Sequence, residues 1–262
     1  MKILYIVPDT GIAGGVAMTF EHLNRLQLRG HDVALGTMEE IVKNVEWYPL
    51  SCRIINIREI LGEVNDFDII IATHYHTAFF INDLNTRAKK CYFVQHRESL
   101  FTTEEEILTA VKKFDPTLSE DSMKIMTAEE FKRRRSAIEK TYDLPFEFIA
   151  TSDWLFDLLK DEHSKNPVLI PYGINTEIFY PESFYPKNKT RVLIETTQQK
   201  TGWKGISDAI AVLESDKKLR ESIEVWTLSA DEPVYAGDKH WKRPSQKEIR
   251  RIFSSCDIFL KT

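Results

Sequence analysis

Lys2-Ile3-Leu4-Tyr5-Ile6-Val7-Pro8-Asp9-Thr10-Gly11-Ile12-Ala13-Gly14-Gly15-Val16 opens the chain and decides how the rest is read. Ile3 to Val7 is apolar without alternation, which predicts a strand buried on both faces. A glycine-containing turn follows, and Val16, Phe20, Leu23 and Leu26 then recur at helical spacing up to a stop at Gly30. Asp32 to Leu35 reads as the second strand. A strand, a glycine turn, a helix and a second strand are the start of a parallel α/β sheet covered on both sides.

The pattern continues outward from there. Asp68–Ala72, Cys91–Val94, Glu147–Ala150 and Val168–Ile170 are predicted core strands, with a helix over Thr77–Ala88. Ser152 is the expected cap of a helix whose apolar face is Trp154, Leu155, Leu158 and Leu159. Thr102 to Tyr142 is charged and helical, and Thr127-Ala128-Glu129-Glu130 has the spacing of a capping box. A polar, proline- and lysine-containing stretch over 181–189 reads as a linker. A second series then begins: strand Arg191–Glu195, helix Gly205–Leu213, strand Ser222–Leu228, helix Ser245–Phe253 and strand Asp257–Leu260. The predicted organisation is one α/β domain over 1–187 and the first part of a second over 188–262.

Composition narrows the function classes. Of 262 residues, 42% are hydrophobic and 29% charged, enough for a real core. With 35 Lys+Arg against 40 Asp+Glu, the net charge of −5 argues against a nucleic-acid partner selected by bulk charge. Cys52, Cys91 and Cys256 are too few and too scattered for a disulfide framework or a zinc knuckle, so a cytoplasmic location is expected. No apolar run approaches the roughly 18 residues needed to span a bilayer. Lys132-Arg133-Arg134-Arg135 is either a solvated helix face or a patch for peripheral membrane contact with a lipid-linked acceptor.

Candidate site residues sit after the predicted strands, where ligands bind in such sheets. Gly14 and Gly15 let backbone N–H groups approach an anion or a sugar hydroxyl at a helix start; a tight turn explains them equally well. The spacing is G-x-x-G-G rather than G-x-G-x-x-G, and strand two ends in Ala34-Leu35-Gly36-Thr37 with no acid for a ribose, which speaks against NAD and an oxidoreductase. Thr73-His74-Tyr75-His76 places a His-x-His pair after a strand, but no third ligand lies at useful local spacing, so no metal is expected. Glu98 could orient an acceptor hydroxyl or support a helix start.

Several segments together resemble the GT-B fold, retaining glycosyltransferases of family four. Gly14-Gly15-Val16 with Leu23, Leu26 and Gly30-His31-Asp32-Val33 is similar to that family's opening. Ile170-Pro171-Tyr172-Gly173-Ile174-Asn175-Thr176-Glu177-Ile178-Phe179 resembles its interdomain segment, Lys204-Gly205 its Lys-Gly pair, and Phe253–Leu260 the segment before its acidic motif. Tyr92-Phe93-Val94-Gln95 with Glu98, Ala72-Thr73 and Ala150-Thr151-Ser152-Asp153-Trp154-Leu155 look most like the rhamnan-synthesis type of rhamnosyltransferase. His96-Arg97 stands where that type has an acidic and an aromatic residue.

The resemblance implies two Rossmann-like domains and transfer of a sugar from a nucleotide-sugar donor to a glycan or lipid-linked glycan acceptor, in surface polysaccharide synthesis. It implies no bound metal or cofactor. It places a histidine near the donor sugar, a role either His74 or His76 could fill, and gives the diphosphate to Lys204 or Lys200. The family's Gly-Arg pair is replaced here by Glu195-Thr196-Thr197-Gln198, with Lys200 as the expected substitute. The family's acidic motif would follow beyond Thr262, so the reading expects a second domain that is incomplete in this chain. A non-catalytic sugar- or nucleotide-binding protein of the same fold is the alternative.

Overall fold

The computed structural model of the chain describes every residue except 42–44, 183–184, 187, 198–204, 231, 234 and 262. Two compact units result, Met1–Tyr172 and Gly173–Thr262.

In the first unit the opening stretch forms β1 (Lys2–Val7), α1 (Gly14–Leu28) and β2 (Asp32–Thr37). There follow β3 (Arg53–Ile55), α2 (Ile57–Glu63), β4 (Ile69–Ala72), α3 (Tyr75–Asp83) and β5 (Lys89–Val94). The hairpin α4 (Glu104–Phe114) and α5 (Glu120–Glu139) precedes β6 (Glu147–Ala150), α6 (Asp153–Asp157) and β7 (Val168–Leu169). The seven strands lie in the order β3-β2-β1-β4-β5-β6-β7, and every pairing is parallel.

The unalternating apolar runs are explained by two cores, one on each face of this sheet. Leu4, Ile6, Ile70, Tyr92, Val94 and Phe148 point to one, against α2, α3 and α6. Ile3, Tyr5, Val7, Val33, Leu35 and Phe93 point to the other, against Phe20 and Leu23 of α1. Gly36 has a specific reason: a Cβ there would stand 2.8 Å from Cδ1 of Ile60, so a larger residue would force the Ile60 side chain of α2 to move.

The second unit contains β8 (Thr190–Glu195), α7 (Ile206–Ser215), α8 (Lys217–Ser222), β9 (Ile223–Ser229), β10 (Lys239–Lys242), α9 (Gln246–Ser255) and β11 (Ile258–Leu260). Its four parallel strands have the order β10-β9-β8-β11. Ser245 opens α9 with a full capping box to Glu248.

Several expectations need correction. Thr127 does not begin a helix; it is buried in the middle of α5, and the caps are Thr103 for α4 and Ser119 for α5. The helix expected over Thr77–Ala88 starts two residues earlier and ends at Asp83, where Lys90 Nζ donates to the carbonyls of Asn82 and Leu84, both at 2.9 Å. Ser152 stands at the start of α6, but its hydroxyl makes no capping bond. The unit boundary after Tyr172 lies earlier than the linker over 181–189. Two arginines bind the polar stretch. Arg191, 4% exposed, donates to the carbonyls of Tyr185, Pro186 and Ser255 and to Glu224, and Arg250 reaches the Ile178 carbonyl and Glu182. Both hold the polar stretch in the second unit.

Candidate functional site

In the first sheet the chain leaves β1 toward β2 on one side, while β4 pairs with β1 on the other. The crevice opened by this reversal, beyond the carboxyl ends of β1 and β4, is where doubly wound sheets bind ligands. Gly14 and Gly15 are the first residues of α1 at that edge, and Ala13 before them has no side chain with which to cap the helix. A Cβ on Gly15 would lie 3.1 Å from the Gln95 amide, so glycine permits the loop after β5 to pack on the helix start. Gln95 in turn accepts from the Tyr172 hydroxyl at 2.8 Å.

The loop after β4 carries the histidine pair. His74 is the N-cap of α3: its Nδ1 accepts from the His76 N–H at 3.3 Å, and Thr77 Oγ1 accepts from the His74 N–H at 3.1 Å. Thr73, buried beneath, donates to the Ile6 carbonyl at 2.8 Å and so ties this loop to β1. The two imidazoles stack at 5.2 Å and 7°, with the Tyr75 ring 4.4 Å from His74 and 4.0 Å from His76. Burial, reinforced by His76, holds the His74 pKa down at about 4. Partial burial and then the Arg134 guanidinium lower that of His76. Both rings are therefore neutral at pH 7. Because Nδ1 of His74 is an acceptor, its proton resides on Nε2, which makes that atom a donor. A neutral N–H donor suits a sugar hydroxyl or ring oxygen better than a phosphate.

Glu98 lies directly behind this loop. It is 3% exposed, and its Oε2 accepts from the Tyr75 N–H at 2.5 Å and from the Tyr92 hydroxyl at 3.0 Å. Burial raises its pKa to about 8, the two donors offsetting only part of the cost. The Glu98 N–H donates to the Tyr142 oxygen at 3.1 Å, and the Tyr142 hydroxyl donates to the His96 carbonyl at 3.1 Å. Its carboxyl thus anchors the first turn of α3, which carries His74 and His76.

The structure accordingly brings Gly14, Gly15, His74, His76 and Glu98 to one edge of one sheet. Lys200 and Lys204 lie outside the described residues. In the second unit the described part of the corresponding edge is Thr196 and Thr197 after β8. Thr196 Oγ1 donates to the Leu228 carbonyl at 3.2 Å, and Thr197 Oγ1 accepts from the Ala230 N–H at 3.0 Å. Gln95 and Tyr172, which sequence reasoning did not single out as site residues, belong to the first edge. Gln95 follows directly on a predicted strand and Tyr172 two residues after one, positions that were signal enough. Among the described residues no group of three His, Cys, Asp or Glu could hold a metal ion. No helix of the described residues is long and apolar enough to cross a membrane.

No protein-family model matches the chain, and no curated protein matches it in sequence. Solved structures do match. Sucrose-phosphate synthase from Thermosynechococcus elongatus aligns with 98% of this chain and 74% of its own, at 13% identity and a TM-score of 0.64. WaaG, a glycosyltransferase involved in lipopolysaccharide biosynthesis, aligns with 99% of this chain and 74% of its own, at 14% identity and a TM-score of 0.62. An alpha-glucosyltransferase in complex with UDP aligns over 99% and 72%, at 12% identity and a TM-score of 0.54. Two parallel α/β units in succession, matched along nearly the whole chain by such proteins, give this chain the GT-B fold.

Proposed function

We propose that the chain is a glycosyltransferase that takes a sugar from a nucleotide-sugar donor. The observation that carries the reading is the neutral His74, buried enough to stay uncharged and oriented by its own helix so that Nε2–H is a donor, at the switch-point edge beside Gly14 and Gly15. In this reading His74, with His76 beside it, holds hydroxyls of the transferred sugar, and the N-terminus of α1 faces the diphosphate. By family resemblance, Lys200 and Lys204 are the cations proposed to supply positive charge to the leaving diphosphate. Most of the acceleration then comes from positioning and electrostatics. Glu98 acts here as a positioning residue, through α3.

The finer assignments rest on family resemblance: retention of anomeric configuration, a rhamnosyl donor, a glycan or lipid-linked acceptor in surface polysaccharide synthesis, metal-independent transfer, and a cytoplasmic location at the membrane periphery. Calorimetry with UDP, GDP and dTDP, followed by transfer assays with their sugars, tests the core of the reading. His74→Ala is expected to lower transfer about 100-fold with little change in nucleotide affinity. Absence of nucleotide binding and of turnover with every donor defeats it. The stretch Glu195-Thr196-Thr197, which has no arginine at the edge of β8, favours the second reading, a binding protein without catalysis. Nucleotide binding with no transfer selects that one.

A further inference from the structure

Trp154 sits at the same sheet edge and has no part in the donor-side reading. It is the second residue of α6 and 48% exposed, whereas its neighbour Leu155 is 1% exposed and Leu159 fully buried. The expected apolar face of this helix therefore holds the leucines and leaves the indole outside. One side of that indole is supported. The His96 ring lies edge-on to it at 5.7 Å and 78°, and His96 stacks on Phe101 at 4.4 Å and 27°. His96 Nδ1 donates to the Arg97 carbonyl at 3.1 Å, which fixes the imidazole plane. Rings from two adjacent strand ends, β5 and β6, thus form one aromatic wall with a half-open tryptophan at its outer end.

The chemistry of such a wall is specific. One face of a pyranose presents mainly C–H groups, and these pack on an aromatic face while the hydroxyls stay wet. Asp153 and Asp157, both exposed, flank Trp154 in α6. They offer acceptors to neutral sugar hydroxyls and repel an anionic sugar. β6 is the second strand from β4, so the strand end that leads to Trp154 lies about 10 Å from the one that leads to His74, two inter-strand spacings away. That gap matches a ring adjacent to the one that reacts.

We propose that Trp154, backed by His96 and Phe101, is an acceptor subsite that takes the apolar face of an uncharged pyranose ring next to the glycosylated one. The word acceptor rests on the glycosyltransferase reading; the sugar contact itself does not. The full chain, Trp154→Ala and Trp154→Phe are titrated with maltose, cellobiose, methyl α-L-rhamnopyranoside and methyl β-D-glucuronide. Indole fluorescence and saturation-transfer NMR give the affinities, and UDP titrations and thermal unfolding serve as controls. At least one neutral glycoside should bind the parent chain and shift its indole emission, with the glucuronide weaker. Trp154→Ala should lose about tenfold in that affinity and Trp154→Phe recover most of it, with UDP affinity and unfolding midpoint unchanged. Equal binding by Trp154→Ala, or no neutral glycoside bound by the parent chain, overturns the subsite. Sugar binding that depends on Trp154, without transfer from any donor, removes the glycosyltransferase reading and leaves the site. Transfer with an unchanged acceptor KM in Trp154→Ala does the reverse.

Discussion

Arg97 and Glu98 are adjacent in the chain, yet their side chains enter opposite worlds. Arg97 turns outward and forks onto two carboxylates, Glu139 at 2.9 Å and Glu162 at 2.8 Å. Burial works against the charged form of Glu139, but hydrogen bonds from Arg97 and Ser99 outweigh it and lower its pKa. Glu98 turns inward, meets a backbone N–H and a phenol, and its pKa rises to about 8. Two carboxylates held by one short segment thus differ in charge at neutral pH, because a guanidinium offsets burial at Glu139 while neutral donors offset only part of it at Glu98. The charged corner pins α5 and the turn after α6; the uncharged pocket orders the candidate site.

The most forceful way to break this contrast is Glu98→Leu. It takes the carboxylate acceptor away from the part-buried Tyr75 N–H and from the buried Tyr92 hydroxyl, and should cost about 2–4 kcal/mol in denaturant unfolding. Histidine NMR signals of the α3 start should shift with it. Arg97→Ala removes the guanidinium from Glu139 and should cost less, about 1–2 kcal/mol.

Titration separates the two regions next. Glu98 has an ordinary pKa of 4.5 when unfolded and about 8 when folded, so between those values the folded chain keeps a proton that the unfolded chain has released. Its contribution to stability therefore falls as pH rises from about 4.5 to 8 and is flat above. His74 runs the other way: with 6.5 unfolded and about 4 folded, its contribution is lost as pH falls through that window. The parent-minus-Glu98→Gln stability difference should slope downward from pH 4.5 to 8; a level difference refutes the inward, proton-retaining carboxyl. The smallest effect is expected at Glu162, whose side chain is 52% exposed against 24% for Glu139. Glu162→Ala should change stability by less than about 0.5 kcal/mol, and by less than Glu139→Ala.

Much of the first sheet was legible because its strands are buried on both faces and leave unbroken apolar runs such as Ile3–Val7. β3 was not, because three residues give no period, and Arg53-Ile54-Ile55 runs almost directly into α2. β10 was hidden for another reason. Lys239-His240-Trp241-Lys242 is polar by composition, but Lys239 lies 4.5 Å from the Tyr185 and Trp241 ring centres and 5.1 Å from that of Trp226. At the candidate site the strand ends told where to look. They did not tell that Glu98 is buried, since an acidic residue in a loop ordinarily faces water, nor that Trp154 is turned out of its helix's apolar face.

Arg191 and Arg250 also bear on how this protein can be cut. A recombinant fragment beginning at the first strand of the second sheet would lack Ile178, Tyr185 and Pro186, and so would take away carbonyl acceptors from two guanidinium groups that are 4% and 8% exposed, leaving Arg191 only part of its partners. It would also lose the Tyr180 ring, on which Arg250 stacks at 4.1 Å. A fragment beginning at Gly173 keeps those carbonyls and that ring. For expression of the second unit by itself, the excision point belongs at the residue after Tyr172, upstream of the prolines and lysines that look like a hinge on paper.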